Sequence, residues 1–145
     1  GEKQHWEKFT LFEESTRVPL IILAPGVTKP GGACDRPVSL LDVYPTLNEL
    51  CGLAKRNDLD GMSLVPLLKD PTARRDRPAI TTWGRGSHSV RTQRWRYIRY
   101  ANGSEELYDH KDDPDEYTNL VVSRPSHAKT IIPTLKKWLP GNPAK

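Results

Sequence analysis

The sequence predicts an α/β arrangement that passes into α+β: one edge of a mainly parallel sheet with helices, then a small antiparallel sheet covered by a C-terminal helix. Three observations predict it. A near-continuous apolar run occupies residues 18–24, apolar residues recur at helical spacing from residue 40, and short β-type stretches follow Pro78. The expected domains are 1–72, the end of an α/β domain, and 73–145, a small C-terminal subdomain with the antiparallel sheet and terminal helix.

The first half of the chain is predicted to form one strand and two helices. Residues 18–24 read as a strand buried on both faces, as in a parallel sheet. A helix is expected from Ser39, with Gly52 just after its end. A second, short helix is expected over residues 63–68, with Ser63 as its N-cap.

The second half is predicted to form an antiparallel sheet of four strands, Ala79–Trp83, Ser87–Thr92, Trp95–Tyr100 and Glu105–Asp109. The pair Asn102-Gly103 is a strong hairpin signal. A two-residue loop there would pair Arg99 with Glu106, Ile98 with Leu107, Tyr97 with Tyr108 and Arg96 with Asp109. A turn over 112–116 then leads to a helix with one apolar stripe, in which Pro133 predicts a late start or a kink.

Charge is distributed in blocks. The net charge of +4 is too small to imply a nucleic-acid partner. Residues 74–99 contain eight arginines and one acid, whereas residues 105–116 contain seven acids and one lysine. Such neighbouring blocks favour internal ion pairs. The predicted hairpin pairs of Arg96 and Arg99 with acids make at least two of the arginines structural. The longest apolar run, 18–24, is far too short to span a bilayer.

The two cysteines form no recognisable motif. Cys51 lies in the apolar helical pattern and is expected to be a small core residue. A bridge between Cys34 and Cys51 remains possible from their spacing, so the redox compartment stays open.

Several stretches together resemble the sulfatase family of the alkaline-phosphatase-like superfamily, and more closely its iduronate-2-sulfatase-like members. They cover nearly the whole chain in the expected order. The stretches are GEKQHWEK (1–8), TRVPLI with APG (16–26), SLLDVYPTL (39–47), LDGMSL (59–64), and ELYD followed by DPDEYTNL (106–120).

The resemblance implies roles for individual residues. Lys8, nine residues before Arg17 of the Arg-x-Pro pattern, would contact the sulfate oxygens of a substrate, where a fixed ammonium stabilises shifting charge. His88, in a glycine-flanked stretch, is the candidate catalytic histidine, with a surface edge-strand histidine as the alternative. His5, Arg85 and Arg91 are candidates for binding the substrate. Lys3 replaces a histidine often found in iduronate sulfatases.

The chain lacks other parts that the resemblance requires. The family's nucleophile is a formylglycine made from Cys or Ser in a Cys/Ser-x-Pro-x-Arg motif, and neither Cys34 nor Cys51 fits it. The paired acids Asp112-Asp113 are assigned to a turn, so no metal ligand is expected in this chain. The intact enzyme would use calcium and formylglycine supplied by an upstream catalytic portion, and this C-terminal portion alone would be inactive.

Three functions therefore stay open. The first is hydrolysis of sulfate esters, with a sulfated carbohydrate as substrate, in a secreted, periplasmic or lysosomal enzyme that engages neither nucleic acid nor membrane. The second is a phosphodiester or phosphonate ester hydrolase of the same superfamily. The third is a non-catalytic module that binds acidic polymers through the arginines of 74–99, with Trp83, Trp95 and Tyr97 available for stacking.

Overall fold

The computed structural model describes Lys3, Trp6 and residues 8–141. The chain forms two compact units, one from 1–19 together with 78–145, the other from 20–77. The N-terminal segment belongs to the unit that contains the antiparallel sheet, because Leu11 and Phe12 pack on that sheet.

The first unit is built on a four-stranded antiparallel sheet in chain order. Its strands are β1 (Ala79–Trp83), β2 (Ser87–Arg91), β3 (Trp95–Arg99) and β4 (Glu105–Asp109). The predicted small antiparallel sheet is thereby confirmed, with strand ends within one residue of those expected.

The predicted register of the β3–β4 hairpin is wrong by one residue. Tyr97 lies opposite Leu107 rather than Tyr108, and Arg96 lies opposite Tyr108 rather than Asp109. The loop is the cause. Tyr100 N donates to Ser104 O at 2.9 Å, which leaves a three-residue loop whose last residue, Gly103, has a φ of +85°. The expected cross-strand pair of Arg96 and Asp109 therefore does not form.

Both faces of this sheet are covered. On one face Val90, Tyr97 and Leu107 pack under helices α4 (Leu120–Ser123) and α5 (Pro125–Lys136). On the other face, Ile98 and Tyr108 pack against two residues of the N-terminal segment, Leu11 and Phe12. The segment that follows forms the short helix α1 (Glu13–Thr16).

The terminal helix starts at Pro125, before Pro133, so of the two alternatives the late start is wrong. Pro125 occupies its first turn, where a missing N–H is tolerated, and Pro133 lies inside the helix. The expected stripe is confirmed: Leu135 is buried, and four partly buried side chains pack on the same cluster, Ile131, Ile132, Trp138 and Leu139. No helix in the described part of the chain is long and apolar enough to cross a membrane.

The second unit contains the two predicted helices but not the predicted strand. Helix α2 (Val43–Leu50) follows a 3₁₀ turn at Leu40–Asp42, and helix α3 spans Val65–Lys69. Residues 18–24 belong to no strand among the described residues, and Ile21 and Leu23 are 90% and 83% exposed. The prediction of a buried strand was therefore wrong for this structure, since a strand requires a hydrogen-bonding partner.

Asp42 organises the second unit. Its buried carboxylate accepts hydrogen bonds from Ser39 N at 2.7 Å, Met62 N at 2.8 Å and Arg75 Nη2 at 2.6 Å. Gly52, just past helix α2, has the expected left-handed φ of +67°. Cys34 and Cys51 are both free and exposed, so the expected core position of Cys51 was wrong.

Candidate functional site

Lys8 lies in a bend of the N-terminal segment and its side chain is exposed. Among the described residues, no hydrogen bond or ion pair reaches its ammonium group. Three residues further on, Leu11 and Phe12 are buried against the sheet. Lys8 is thus separated by only two residues from Leu11 and Phe12, which we call the anchor because they are fixed against the sheet.

A buried arginine ties this anchor to the sheet. Arg96 projects from β3 and is 1% exposed. Its Nη1 donates to Leu11 O and to Ser89 Oγ, both at 2.9 Å. Its Nη2 donates to Thr16 Oγ1 at 3.0 Å and to the Glu13 carboxylate, and its Nε donates to Glu116. Two of the three guanidinium nitrogens therefore donate to the N-terminal segment, and the third donates to Glu116.

Two more side chains, Arg91 and His110, complete the cluster. The other carboxylate oxygen of Glu116 accepts the backbone N–H of Glu13 at 2.9 Å. Arg91 donates to Glu13 at 3.1 Å and to His110 Nδ1 at 2.8 Å. We call Glu13, Arg91, Arg96, His110 and Glu116 the Arg96 cluster.

The hydrogen bonds of His110 fix its tautomer. Arginine can only donate, so Nδ1 accepts from Arg91, and Nε2 carries the proton that it donates to Glu116 Oε1 at 2.7 Å. Glu116 has a left-handed φ of +57°, which is uncommon for a residue other than glycine. Its hydrogen bonds with Glu13 N, Arg96 Nε and His110 Nε2 hold that conformation.

The cluster favours ionised carboxylates. Burial by itself would raise the pKa of Glu116, but the hydrogen bond from His110 and the charge of Arg96 outweigh it, and the pKa lies below its ordinary value. For Glu13, burial likewise acts to raise the pKa, and the hydrogen bond and charge of Arg91 together with Arg96 lower it on balance. By contrast, burial raises the pKa of Glu106 on β4.

These shifts predict a loss of stability in acid. A depressed pKa contributes stability above the unfolded-state pKa, about 4.3 for Glu, and that contribution is lost as the pH falls through the folded-state pKa. The free energy of unfolding should therefore fall below about pH 4.3. Urea titrations followed by tryptophan fluorescence between pH 3 and pH 7 measure it. Glu116→Gln should show a shallower acid slope.

Glu106→Gln provides the control of opposite sign. Because its pKa is raised, Glu106 contributes stability that is lost as the pH rises, so its removal should not flatten the acid slope. Equal acid slopes for Glu116→Gln and the wild type would contradict the assigned role of Glu116.

His88 lies apart from the segment that carries Lys8. It is on β2, on the face of Val90, whereas the N-terminal segment packs on the opposite face. Its Nδ1 lies 2.9 Å from Thr82 Oγ1. Burial, and then the charge of Arg99, lower the pKa of His88, so the ring is neutral near pH 7. His88 therefore lies on the opposite face of the sheet from the segment that carries Lys8, and its catalytic role stays a prediction.

The other candidate residues differ in their surroundings. Arg85 is exposed in the β1–β2 turn. Arg91 is mostly buried and engaged with Glu13, an acid on the N-terminal segment rather than on a neighbouring strand. His5 lies outside the described residues.

The expected internal pairing of the arginines is confirmed, with partners other than those predicted. Arg96 pairs with Glu116 and Glu13, and Asp109 pairs instead with Arg94 at 2.6 Å. The remaining pairs are Arg74 with Asp76, Arg75 with Asp42 and Arg91 with Glu13. Five of the eight arginines in 74–99 are thus in ion pairs, which leaves little of the basic block for an acidic polymer.

Comparison with known proteins identifies the family. The family model described as N-sulphoglucosamine sulphohydrolase, C-terminal, matches residues 1–142. The chain belongs to this sulfatase family. It corresponds to the C-terminal domain, and the match includes both Lys8 and the Arg96 cluster.

Relatives of this sulfatase domain agree with the assignment. A sulfatase from Formosa agariphila is 39% identical over 140 residues, which cover 97% of this chain and 27% of the relative. The chain thus spans about a quarter of the length of that relative.

Two solved structures share the fold. A Bacteroides fragilis protein named as a sulfatase matches 90% of this chain and 30% of its own, with a TM-score of 0.77 and 25% identity. A protein named as a 2-O GAG sulfatase matches 64% of this chain and 22% of its own, with a TM-score of 0.54 and 31% identity.

The sulfatase domain contains one arrangement that resembles a metal site. Ligand atoms of Glu13, His110 and Glu116 lie within 4.8 Å of one another, the one such group among the described residues. Arg96 and Arg91 already donate to these carboxylates, and one ligand is a nitrogen. Calcium takes six to eight oxygen ligands, so the group does not fit it. The arrangement is an ion-pair cluster.

The sequence does not predict this cluster: it indicates no role for Glu13 or His110, and it places Glu116 only in a turn. Its members come from positions 13 to 116, and Glu13 joins the others only when the N-terminal segment folds onto the sheet. The one signal in the sequence was the excess of arginine followed by an excess of acid, which predicts pairing without naming the partners.

Proposed function

We propose that the intact protein hydrolyses sulfate esters of a carbohydrate, and that this chain is its C-terminal part. The observation that carries the proposal is the match of the sulfatase family model over residues 1–142. The sugar is supported by the description of that model, an N-sulphoglucosamine sulphohydrolase, and by a structural relative named as a 2-O GAG sulfatase. A secreted, periplasmic or lysosomal location accords with such a substrate.

Lys8 is the residue of this chain proposed to bind the sulfate group. Its ammonium is exposed and is engaged by no described acid, so it is available to an anion. A positive charge fixed beside the sulfate oxygens favours a transition state in which charge shifts toward them and the leaving oxygen. His5 remains a candidate for the substrate pocket and lies outside the described residues.

The nucleophile and metal are proposed to lie outside these 145 residues. In a sulfatase they would be a formylglycine and a calcium ion. Cys34 is followed by Asp-Arg-Pro and Cys51 by Gly-Leu-Ala, and neither run has the modification pattern. The described acids offer no oxygen-rich site suited to calcium. This chain therefore supplies binding and support.

Release of inorganic sulfate tests the proposal. The intact protein should liberate sulfate from an aryl sulfate and from an N- or O-sulfated glucosamine, whereas the 145-residue chain alone should not. Ion chromatography measures the product directly. Matched reactions with an aryl phosphonate monoester test the alternative hydrolase. Turnover of the phosphonate without turnover of any sulfate ester would replace the proposal with that alternative.

A further inference from the structure

We infer that Arg96 is a positioning residue for the substrate-binding lysine: by holding residues 11–16 against the sheet, it sets where Lys8 points. The inference rests on the proposed function, because it assigns a catalytic consequence to an anchor. Arg96 itself is buried and touches no substrate.

Arg96 contacts the N-terminal segment at three points, and we call this set of contacts the clamp. From a single side chain on β3, hydrogen bonds reach the carbonyl of Leu11, the carboxylate of Glu13 and the hydroxyl of Thr16. The contacts extend from Leu11, just before helix α1, to Thr16, the last residue of that helix. A contact at one point would allow the segment to pivot, whereas contacts at three points define both its position and its direction.

Glu116 connects the clamp residue Arg96 directly to the backbone of the N-terminal segment. It accepts the Glu13 backbone N–H through one carboxylate oxygen and Arg96 Nε through the other. Lys3, whose ammonium lies 3.7 Å from Glu116 and 4.5 Å from the centre of the Phe12 ring, adds a cation over the same segment. The segment is therefore fixed by charges that are themselves almost entirely buried.

The short distance in sequence between Lys8 and Leu11 explains why the Arg96 contacts affect the position of Lys8. Three residues extend at most about 10 Å, so the reach of the Lys8 backbone is limited by where residue 11 is fixed. The lysine has no partner of its own among the described residues, and the nearest of them that is fixed by packing is Leu11. A displacement of about 1 Å at a catalytic group can reduce the rate 10²-fold.

Two neighbouring glutamates offer a matched test in the intact enzyme. Glu13→Gln removes one charge from the clamp, whereas Glu14→Gln makes the same change one residue later, where the carboxylate pairs with Lys3 at 3.2 Å and contacts no arginine of the cluster. We expect Glu13→Gln to lower kcat about tenfold with little change in KM, and Glu14→Gln to leave kcat within about twofold of wild type.

Two further measurements separate positioning from general destabilisation. In a Lys8→Ala background, Glu13→Gln should lower kcat no further, because its effect acts through the lysine. Hydrogen exchange followed by mass spectrometry should show faster exchange over residues 8–17 in Glu13→Gln, with unchanged protection in strands β2 and β3.

The outcomes distinguish the inference from the proposed function. If Lys8→Ala retains wild-type turnover, the assigned role of the lysine fails. If Lys8→Ala is impaired but Glu13→Gln turns over normally, or multiplies the loss in the double variant, the positioning inference is overturned. Equal losses in Glu13→Gln and Glu14→Gln would overturn it as well.

Discussion

Replacement of Lys8 by alanine should lower kcat of the intact enzyme by about 10²–10³, the loss seen when one donor to a developing oxyanion is removed. The ammonium is the one group of this chain proposed to touch the sulfate. KM should change less than kcat, because the contact strengthens as charge develops on the oxygens. Steady-state release of sulfate from an aryl sulfate gives both constants.

Lys129→Ala is a suitable control for this experiment. Lys129 is exposed on helix α5, which packs on the face of the sheet opposite to the N-terminal segment. Its removal should leave both constants unchanged. A Lys8→Ala enzyme as active as Lys129→Ala would show that the lysine does not serve the sulfate.

Replacement of Arg96 by methionine should lower the free energy of unfolding by about 3–5 kcal/mol. Methionine fills much of the same space but leaves the buried Glu116 carboxylate without the guanidinium that compensates its charge. Two further acceptors, Leu11 O and Ser89 Oγ, would lose their donor in a region without solvent. Urea unfolding at pH 7 measures the loss.

Arg94→Met is the matched control, because Arg94 lies two residues before Arg96, in the connection between β2 and β3. Arg94 forms a bidentate pair with Asp109, but its side chain is 48% exposed. An exposed pair contributes about 1 kcal/mol or less, so this variant should remain close to wild type. If the two variants lost equal stability, the buried cluster would not be the dominant electrostatic element of the sheet unit.

The antiparallel sheet was predictable because its signals are local. Alternating strands, the Asn-Gly turn and a terminal apolar stripe each lie within about ten residues of sequence, and the structure contains all of them. Register was not predictable from the same signals. Asn102-Gly103 suits both a two-residue loop and the observed three-residue loop with Gly103 in the left-handed region.

The apolar run at 18–24 shows a different limit. Its composition predicts burial, yet Ile21 and Leu23 are exposed and the run has no ladder partner within the described chain. Burial of a strand depends on neighbours supplied by other segments, which composition alone cannot identify. Helix α2 is easier to predict, since the capped 3₁₀ turn before it and Gly52 after it lie within the same stretch of sequence.

The candidate site combines local and distant signals. Lys8 can be proposed from the sequence because it lies in a recognisable linear motif. Arg96 and Glu116 were not assigned to each other, because they are twenty residues apart and the hairpin register assumed for Arg96 offered Asp109 instead. The observed β3–β4 register differs by one residue from the predicted one, so each β4 residue paired with β3 changes face relative to the prediction. Arg96 therefore pairs with Glu116 and Glu13 instead of Asp109.

The most direct test of the account is a crystal structure of the intact protein with a sulfate ester or inorganic sulfate bound. The account predicts that Lys8 Nζ lies about 2.7–3.2 Å from a sulfate oxygen while Arg96 still holds Leu11, Glu13 and Thr16. A bound sulfate with the Lys8 ammonium directed into solvent, and the same clamp intact, would contradict it.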